Sequence, residues 1–152
     1  MRVWRAEPRE AADVARLIGE FGAWSGNDAP SGDAILASVE RIMAGDDGEY
    51  LLGAVDADEP AGVCQLRFRW SVWKSAEDCW LEDLFVSEAA RRTGLGRALV
   101  DAALARARER GCKRIELDVS EENAAARALY DACGFQTDWK SPTRSLFIGR
   151  PL

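Results

Sequence analysis

Hydrophobic positions change period several times along the chain, and each change marks an element. Residues 3–7 (VWRAE) read as a short strand. From Pro8 to Trp24 the period becomes helical. Ala12, Ala15, Leu17, Ile18 and Phe21 share one side, and Pro8 stands near the first turn. A second helix is predicted over 31–45, with Ile35, Val39 and Ile42 at helical spacing and Gly45 to end it. Two strands follow, 49–56 and 61–73, joined by the turn ADEP. In the second, Val63, Gln65, Arg67 and Arg69 alternate imperfectly with Cys64, Leu66, Phe68 and Trp70. The stretch 79–86 (CWLEDLFV) is a fourth strand.

A glycine-containing turn then opens a helix over 94–110. Leu95, Ala98, Leu99, Ala102 and Ala103 form its apolar stripe, with Arg97, Asp101 and Arg108 opposite. The stripe weakens where Arg106 falls on the apolar side. A strand over 113–120, a helix from Asn123 closed by Gly134, and a last strand over 144–148 complete the pattern. The order β-α-α-β-β-β-α-β-α-β predicts one mixed α/β (α+β) domain over 1–152. No repeat or linker interrupts it.

Composition narrows the chemistry. The 152 residues carry a net charge of −6, four cysteines and no histidine. Without histidine, Ser-His-Asp and Cys-His catalysis and imidazole-dependent zinc sites are excluded, and no metal site is expected. The cysteines Cys64, Cys79, Cys112 and Cys133 show no C-x-x-C spacing and read as reduced core residues. No apolar run is long enough to span a bilayer, and the N-terminus has no apolar signal core, so a cytoplasmic protein without membrane attachment is expected. The acidic total argues against a nucleic-acid partner. Charge is also uneven. Residues 1–60 hold 13 acids and 5 bases, whereas 91–114 hold 8 bases and 2 acids. A basic island in an acidic chain suits an anionic cofactor beside a cationic substrate. Arg106, Arg108 and Arg110 read as solvating an outer helix face.

The island centres on RRTGLGRALV, Arg91 to Val100. Glycines at a helix mouth leave backbone amides open to an anion, where the helix dipole favours negative charge. No Lys-Ser/Thr follows Gly96, as a nucleotide-binding phosphate loop would require.

Three features together resemble the GNAT superfamily of acetyl-CoA-dependent N-acetyltransferases. Arg91-Arg92-Thr93-Gly94-Leu95-Gly96 matches R/Q-x-x-G-x-G/A after a strand. A helix and strand of fitting length follow. Asn123 to Gly134-Phe135 matches N-x-x-A-x-x-x-Y-x-x-x-G-F. The resemblance covers residues 79–136. It implies a mixed sheet of about six to seven strands flanked by about four helices, splayed at strands 4 and 5, within the layered architecture of the class. It implies that the amides from Arg92 to Arg97 bind the pyrophosphate of coenzyme A, with Arg91, Arg92 or Arg97 adding charge. It further implies that main-chain groups around Leu84, Phe85 and Val86 hold the pantetheine, and that Asn123 bonds the cofactor. LEDLFV is similar to the corresponding strand of diamine and thialysine acetyltransferases, where the two acids receive a cationic amine.

The expected reaction is direct attack of a small amine, polyamine or amino-acid-like, on acetyl-CoA in a ternary complex. Protein N-termini or lysines are alternative acceptors, and a non-catalytic acyl-CoA sensor is the rival from another class. Tyr130 is the expected acid, since a phenol of pKa about 10 is protonated at neutral pH. By periodicity alone it reads as a core aromatic on an amphipathic helix. Glu82 is the expected base, with Asp83 beside it as a substrate contact. Alternation sends the two to opposite faces unless a bulge intervenes. Trp24, Trp70, Trp73, Trp80 and Trp139 read either as an acceptor-pocket lining or as core and rim. A homodimer is supported only by the habit of the family.

Overall fold

The computed structural model describes all residues except 27, 57–58, 138–147 and 152. Its elements are β1 (Arg2–Arg5), α1 (Ala11–Ser25), α2 (Gly32–Met43), β2 (Gly48–Ala54), β3 (Gly62–Ser71), β4 (Ala76–Val86), α3 (Leu95–Glu109), β5 (Ile115–Glu116) and α4 (Ala124–Ala132). The strands form one sheet in the order β1-β2-β3-β4-β5. Neighbours are antiparallel up to β4, and β5 runs parallel to β4. No helix among the described residues is long and apolar enough to cross a membrane.

Local signals set the helix ends. Ser31 caps α2 by accepting from the Ala34 amide at 3.3 Å, and Asn123 caps α4 by accepting from Ala126 at 3.1 Å. The apolar faces then decide the layers. Val14 and Leu17 of α1 and Ile35 and Val39 of α2 pack with Tyr50, Leu52, Val63 and Phe85. On the other side Leu95, Leu99, Ala103 and Ala107 of α3 pack with Leu51, Cys64, Leu66, Phe68, Cys79 and Leu81. Helix α3 lies very close to the sheet. A Cβ at Gly53 or Gly62 would stand 2.8 or 2.9 Å from a leucine methyl of α3, so only glycine admits this approach.

Two features of the sheet differ from the pattern-based expectation. The strand predicted over 113–120 pairs only as β5, through Cys79↔Ile115 and Trp80↔Glu116. Lys113 N donates to Glu77 O (3.1 Å) and Cys79 N to Arg114 O (2.9 Å) just before it. Beyond Trp80 the two chains part, while β4 stays paired with β3 up to Val86. The parting is the expected splay. The sheet therefore holds five strands among the described residues, fewer than the six to seven expected. Residues 144–147 of the predicted last strand lie outside the described residues.

The second difference is electrostatic. Arg106 and Arg110 do not solvate an outer face. Arg106 donates twice to Glu49, at 2.7 Å each. Arg110 donates to Glu49 at 3.1 Å and to Glu77 at 2.9 and 2.8 Å, and it stacks 4.0 Å from the Phe68 ring centroid. Glu49 is 6% exposed. Arg106 meets it because it lies on the helix stripe that faces the sheet. Of the three, only Arg108 is exposed. Burial pushes the Glu49 carboxyl up, but the bonds and charges of its arginines outweigh this and hold it below its ordinary value. A depressed carboxyl stabilises the fold above its unfolded pKa and loses that stabilisation as pH falls through the folded one. Glu49→Ala should therefore cost about 3 kcal/mol at pH 7, read by urea unfolding, and the cost should shrink at acid pH. An equal cost at both pH values would mean that Glu49 acts through packing alone.

Candidate active site

The site lies where β4 leaves β5, and a β-bulge organises it. Register pairs Gln65 with Asp83 but Leu66 with Leu81, so Glu82 is an extra residue in β4. The insertion flips the parity of the strand. Cys79 and Leu81 face α3 before it, and Leu84 and Val86 face α3 after it. Phe85 faces α1, and Asp83 shares its side. Asp83 and the inserted Glu82 thus both serve the α1 and α2 face. The bulge allowed for in the sequence is present. The two acids differ in setting: Glu82 is exposed, and Asp83 is partly buried. Burial, then the charges of Glu82 and Asp118, raise the Asp83 carboxyl to about 6.

Main-chain phase fixes what the end of β4 offers. Ser87 N donates to Ala61 O at 2.8 Å, one step past the Gly62↔Val86 pair. That makes Val86 and Leu84 members of non-hydrogen-bonded pairs with β3. Their N–H and C=O groups therefore point into the gap opened by the splay, and those of Phe85 point to β3. Val86 O accepts from Arg91 Nε at 3.0 Å. The Arg91 guanidinium also lies 4.9 Å from the Trp24 ring and 5.8 Å from the Phe85 ring. Phe21 stacks on Phe85 with centroids 5.5 Å apart.

The turn that follows is built for open amides. Gly94 has φ +95° and Arg92 φ +66°. Arg92 thus holds a left-handed conformation that favours glycine. Thr93 Oγ1 donates to Ala90 O at 2.7 Å and accepts weakly from Leu95 N at 3.4 Å. The first bond of the α3 ladder runs from Ala98 N to Gly94 O at 3.0 Å. The amides of Gly96 and Arg97 precede it, at the positive end of the helix. A Cβ on Gly96 would lie 3.5 Å from Leu129 and 3.8 Å from Val86, so glycine keeps a slot between α4 and β4. Arg97 is held by Asp101 (3.0 and 3.1 Å) and by Ala132 O (3.1 Å). Of the three arginines expected to supply charge, Arg92 alone has no side-chain bond or ion pair among the described residues.

On the other lip of the gap stands Tyr130 of α4, 9% exposed and edge-on to Phe135 at 5.6 Å. Burial, then the neighbouring Cys64, Asp118, Cys133 and Asp83, raise its phenol to about 12. No hydrogen bond engages its hydroxyl among the described residues. The structure thus brings Asp83, Glu82, Asp118 and Tyr130 to one opening, and it adds Tyr50 and Gln65, which the sequence had not marked as site residues. Asn123 spends its carbonyl on the helix cap, and its amide makes no hydrogen bond among the described residues. Trp24 lines the α1 side of the opening. Trp70 and Trp73, 65% and 97% exposed, occupy the β3–β4 hairpin at the other end of β4. Trp139 lies outside the described residues.

This arrangement has known counterparts. The Acetyltransferase (GNAT) family matches residues 14–135. The chain belongs to the GNAT acetyltransferase family. It is an acetyltransferase of that family, with named N-acetyltransferases among its relatives. It is 30% identical over 135 residues to the aminoglycoside N(6')-acetyltransferase type 1 of Stenotrophomonas maltophilia, covering 87% of this chain and 84% of the relative. It is 28% identical over 145 residues to the thialysine N-epsilon-acetyltransferase of Bos taurus, covering 86% and 81%. A solved candidate acetyltransferase from Arthrobacter sp. FB24 superposes with a TM-score of 0.88 at 31% identity, covering 100% of this chain and 96% of that one. The same fold, at 20% identity and a TM-score of 0.80, occurs in AAC(6')-Iy in complex with a CoA-containing bisubstrate analogue, covering 99% and 98%. A GNAT chain uses acetyl-CoA, and the open amides, the Gly96 slot and the gap-facing backbone of β4 fit that elongated anion.

Proposed function

We propose that this acetyltransferase acetylates a small cationic amine, polyamine or amino-acid-like, received on the α1 and α2 face. One observation carries the reading: a carboxyl raised to about 6 and a protonated phenol sit on the two lips of the same gap, both within the field of Asp118. An amine nucleophile must lose a proton, and a departing thiolate must gain one. Asp83 and Tyr130 are suited to those two tasks. Glu82, exposed in the bulge, attracts the cationic amine and supports Asp83.

Acetyl-CoA supplies the acetyl thioester. In this reading the amides of Gly96 and Arg97, with Arg92, hold its pyrophosphate, and the backbone of Leu84 and Val86 pairs with its pantetheine. Arg91 releases Val86 O for that pairing and keeps its stack on Trp24. Asn123 offers its amide to the cofactor. Each charge–dipole contact gives about 0.3–1 kcal/mol, so the cradle works as a set. The similarity to aminoglycoside and thialysine enzymes, together with the acidic lining, supports a cationic acceptor.

The test is release of free coenzyme A from acetyl-CoA with diamines, polyamines, lysine analogues, aminoglycosides and short peptides. Turnover is expected on a small di- or polycationic amine. Turnover on peptides alone would overturn the acceptor class. Heat protection by acetyl-CoA with no turnover on any amine would make the chain an acyl-CoA sensor.

A further inference from the structure

Three strands contribute one polar side chain each to a single row. Register sets Tyr50 beside Gln65 and Gln65 beside Asp83, at cross-strand spacings of about 5 Å between Cβ atoms. The adjacent row, Leu52–Val63–Phe85, is wholly apolar and buried. Tyr50 is 2% exposed and Gln65 6%. Neither side chain makes a hydrogen bond among the described residues. Their polar tips are not sealed either, since Asp78 Oδ1 is the one buried, solvent-inaccessible side-chain polar atom found without a partner there. Both residues are therefore packed along their length and open at the end.

Packing does not explain this choice of residues. Phenylalanine and methionine would fill the same buried length without placing an open polar tip that finds no protein partner among the described residues. The tips face the acid pair. Gln65 adjoins Asp83 in the sheet, and the charges of Asp83 and Glu82 both act on Tyr50. The next residue along this face, Arg67, is turned to Asp47 at 3.0 Å.

We propose that Tyr50 and Gln65 form a neutral subsite that reads a hydroxyl on the acceptor beside the reacting amine. This rests on the acceptor site placed above at Asp83. A hydroxyl both donates and accepts. It can give its proton to Gln65 Oε1 and accept from the Tyr50 phenol. An ammonium group only donates, and it is better matched by Glu82 and Asp118. The acceptor class is thus a hydroxylated amine, with cationic nitrogen at the carboxylates and a neutral hydroxyl at Tyr50 and Gln65.

The test uses 1,3-diaminopropan-2-ol and 1,3-diaminopropane, which differ by one hydroxyl, with acetyl-CoA and thiol detection. The wild-type protein should show about a tenfold lower KM for the hydroxylated diamine. In Tyr50→Phe and in Gln65→Met that preference should collapse toward one. The KM for acetyl-CoA should hold, and the melting temperature should not fall. No preference in the wild type, or a preference that survives both variants, overturns the subsite and leaves the acceptor reading standing. A lowered melting temperature with the preference retained would make the two residues packing groups. Turnover of neither diamine, with no calorimetric binding of either to the CoA-loaded protein, would overturn both readings.

Discussion

Asp83→Asn should lower kcat/KM for the amine by about 10²–10³-fold, the range of a lost general base, and should abolish the acid limb of the pH profile. The magnitude follows from where the proton goes. Moving it from an amine of pKa about 10.4 to an ordinary carboxylate near 3.9 costs about 9 kcal/mol, and to a carboxyl of about 6 it costs about 6 kcal/mol. The burial that raises Asp83 thus raises the population of the proton-transferred state by roughly two orders of magnitude. Asp83 must be ionised to accept the proton, so wild-type kcat/KM should fall as pH drops below about 6. Its effect on stability has the opposite sign to that of Glu49. A raised carboxyl is penalised in the fold when ionised, and the penalty is relieved as pH falls toward 6 and below. Asp83→Asn should therefore keep or raise the melting temperature at pH 8 while activity is lost. An acid limb that survives in Asp83→Asn and vanishes in Glu82→Gln would return the base to Glu82, the residue first indicated by the sequence.

That alternative shows where the sequence was legible. Periodicity located the four α-helices of the described residues, because each packs one continuous face: the stripe from Leu95 to Ala103 is the stripe that meets the sheet. The glycine turn was readable because positive φ at Gly94 has a residue signature. The bulge at Glu82 has none. It exists because β3 and β4 must both bury apolar side chains on either side of residue 82, and that demand is visible only once the register is known. Its consequence, two acids on one face, was legible only as a condition.

The same limit applies to charge. Arg106 on the apolar stripe and Glu49 at the head of a strand each broke their local pattern, and the breaks were complementary. A pattern read one element at a time records two exceptions. The fold makes them one ion network. Gln65 is a comparable case, a polar residue on the inward face of an imperfectly alternating strand, whose meaning comes from its neighbours Tyr50 and Asp83 across the sheet. Asp118 lies in the stretch predicted as strand but released from pairing, and that release lets it act on both Asp83 and Tyr130.

Tyr130→Phe should lower kcat by about 10²-fold with little change in the KM for either substrate. Phenylalanine keeps the edge contact with Phe135 and the buried ring, so only the hydroxyl is removed. Its raised pKa of about 12 ensures that the proton is present throughout the physiological range. It also makes the phenol a reluctant donor toward a thiol of pKa about 8.5 in water. The two facts are reconciled by the gap itself. Burial raises the phenol because it disfavours the charged form, and it acts in the same direction on a thiolate formed at the same place. Donor and acceptor therefore stay matched when both are desolvated, whereas an exposed donor would not track the sulfur. No hydrogen bond engages the hydroxyl among the described residues, so none there has to break before it donates. If Tyr130 served only the core, Tyr130→Phe would leave kcat intact and Tyr130→Ala would cost stability without a separate loss of turnover in the folded fraction. A loss confined to kcat in the phenylalanine variant, with an unchanged melting temperature, assigns the proton to Tyr130.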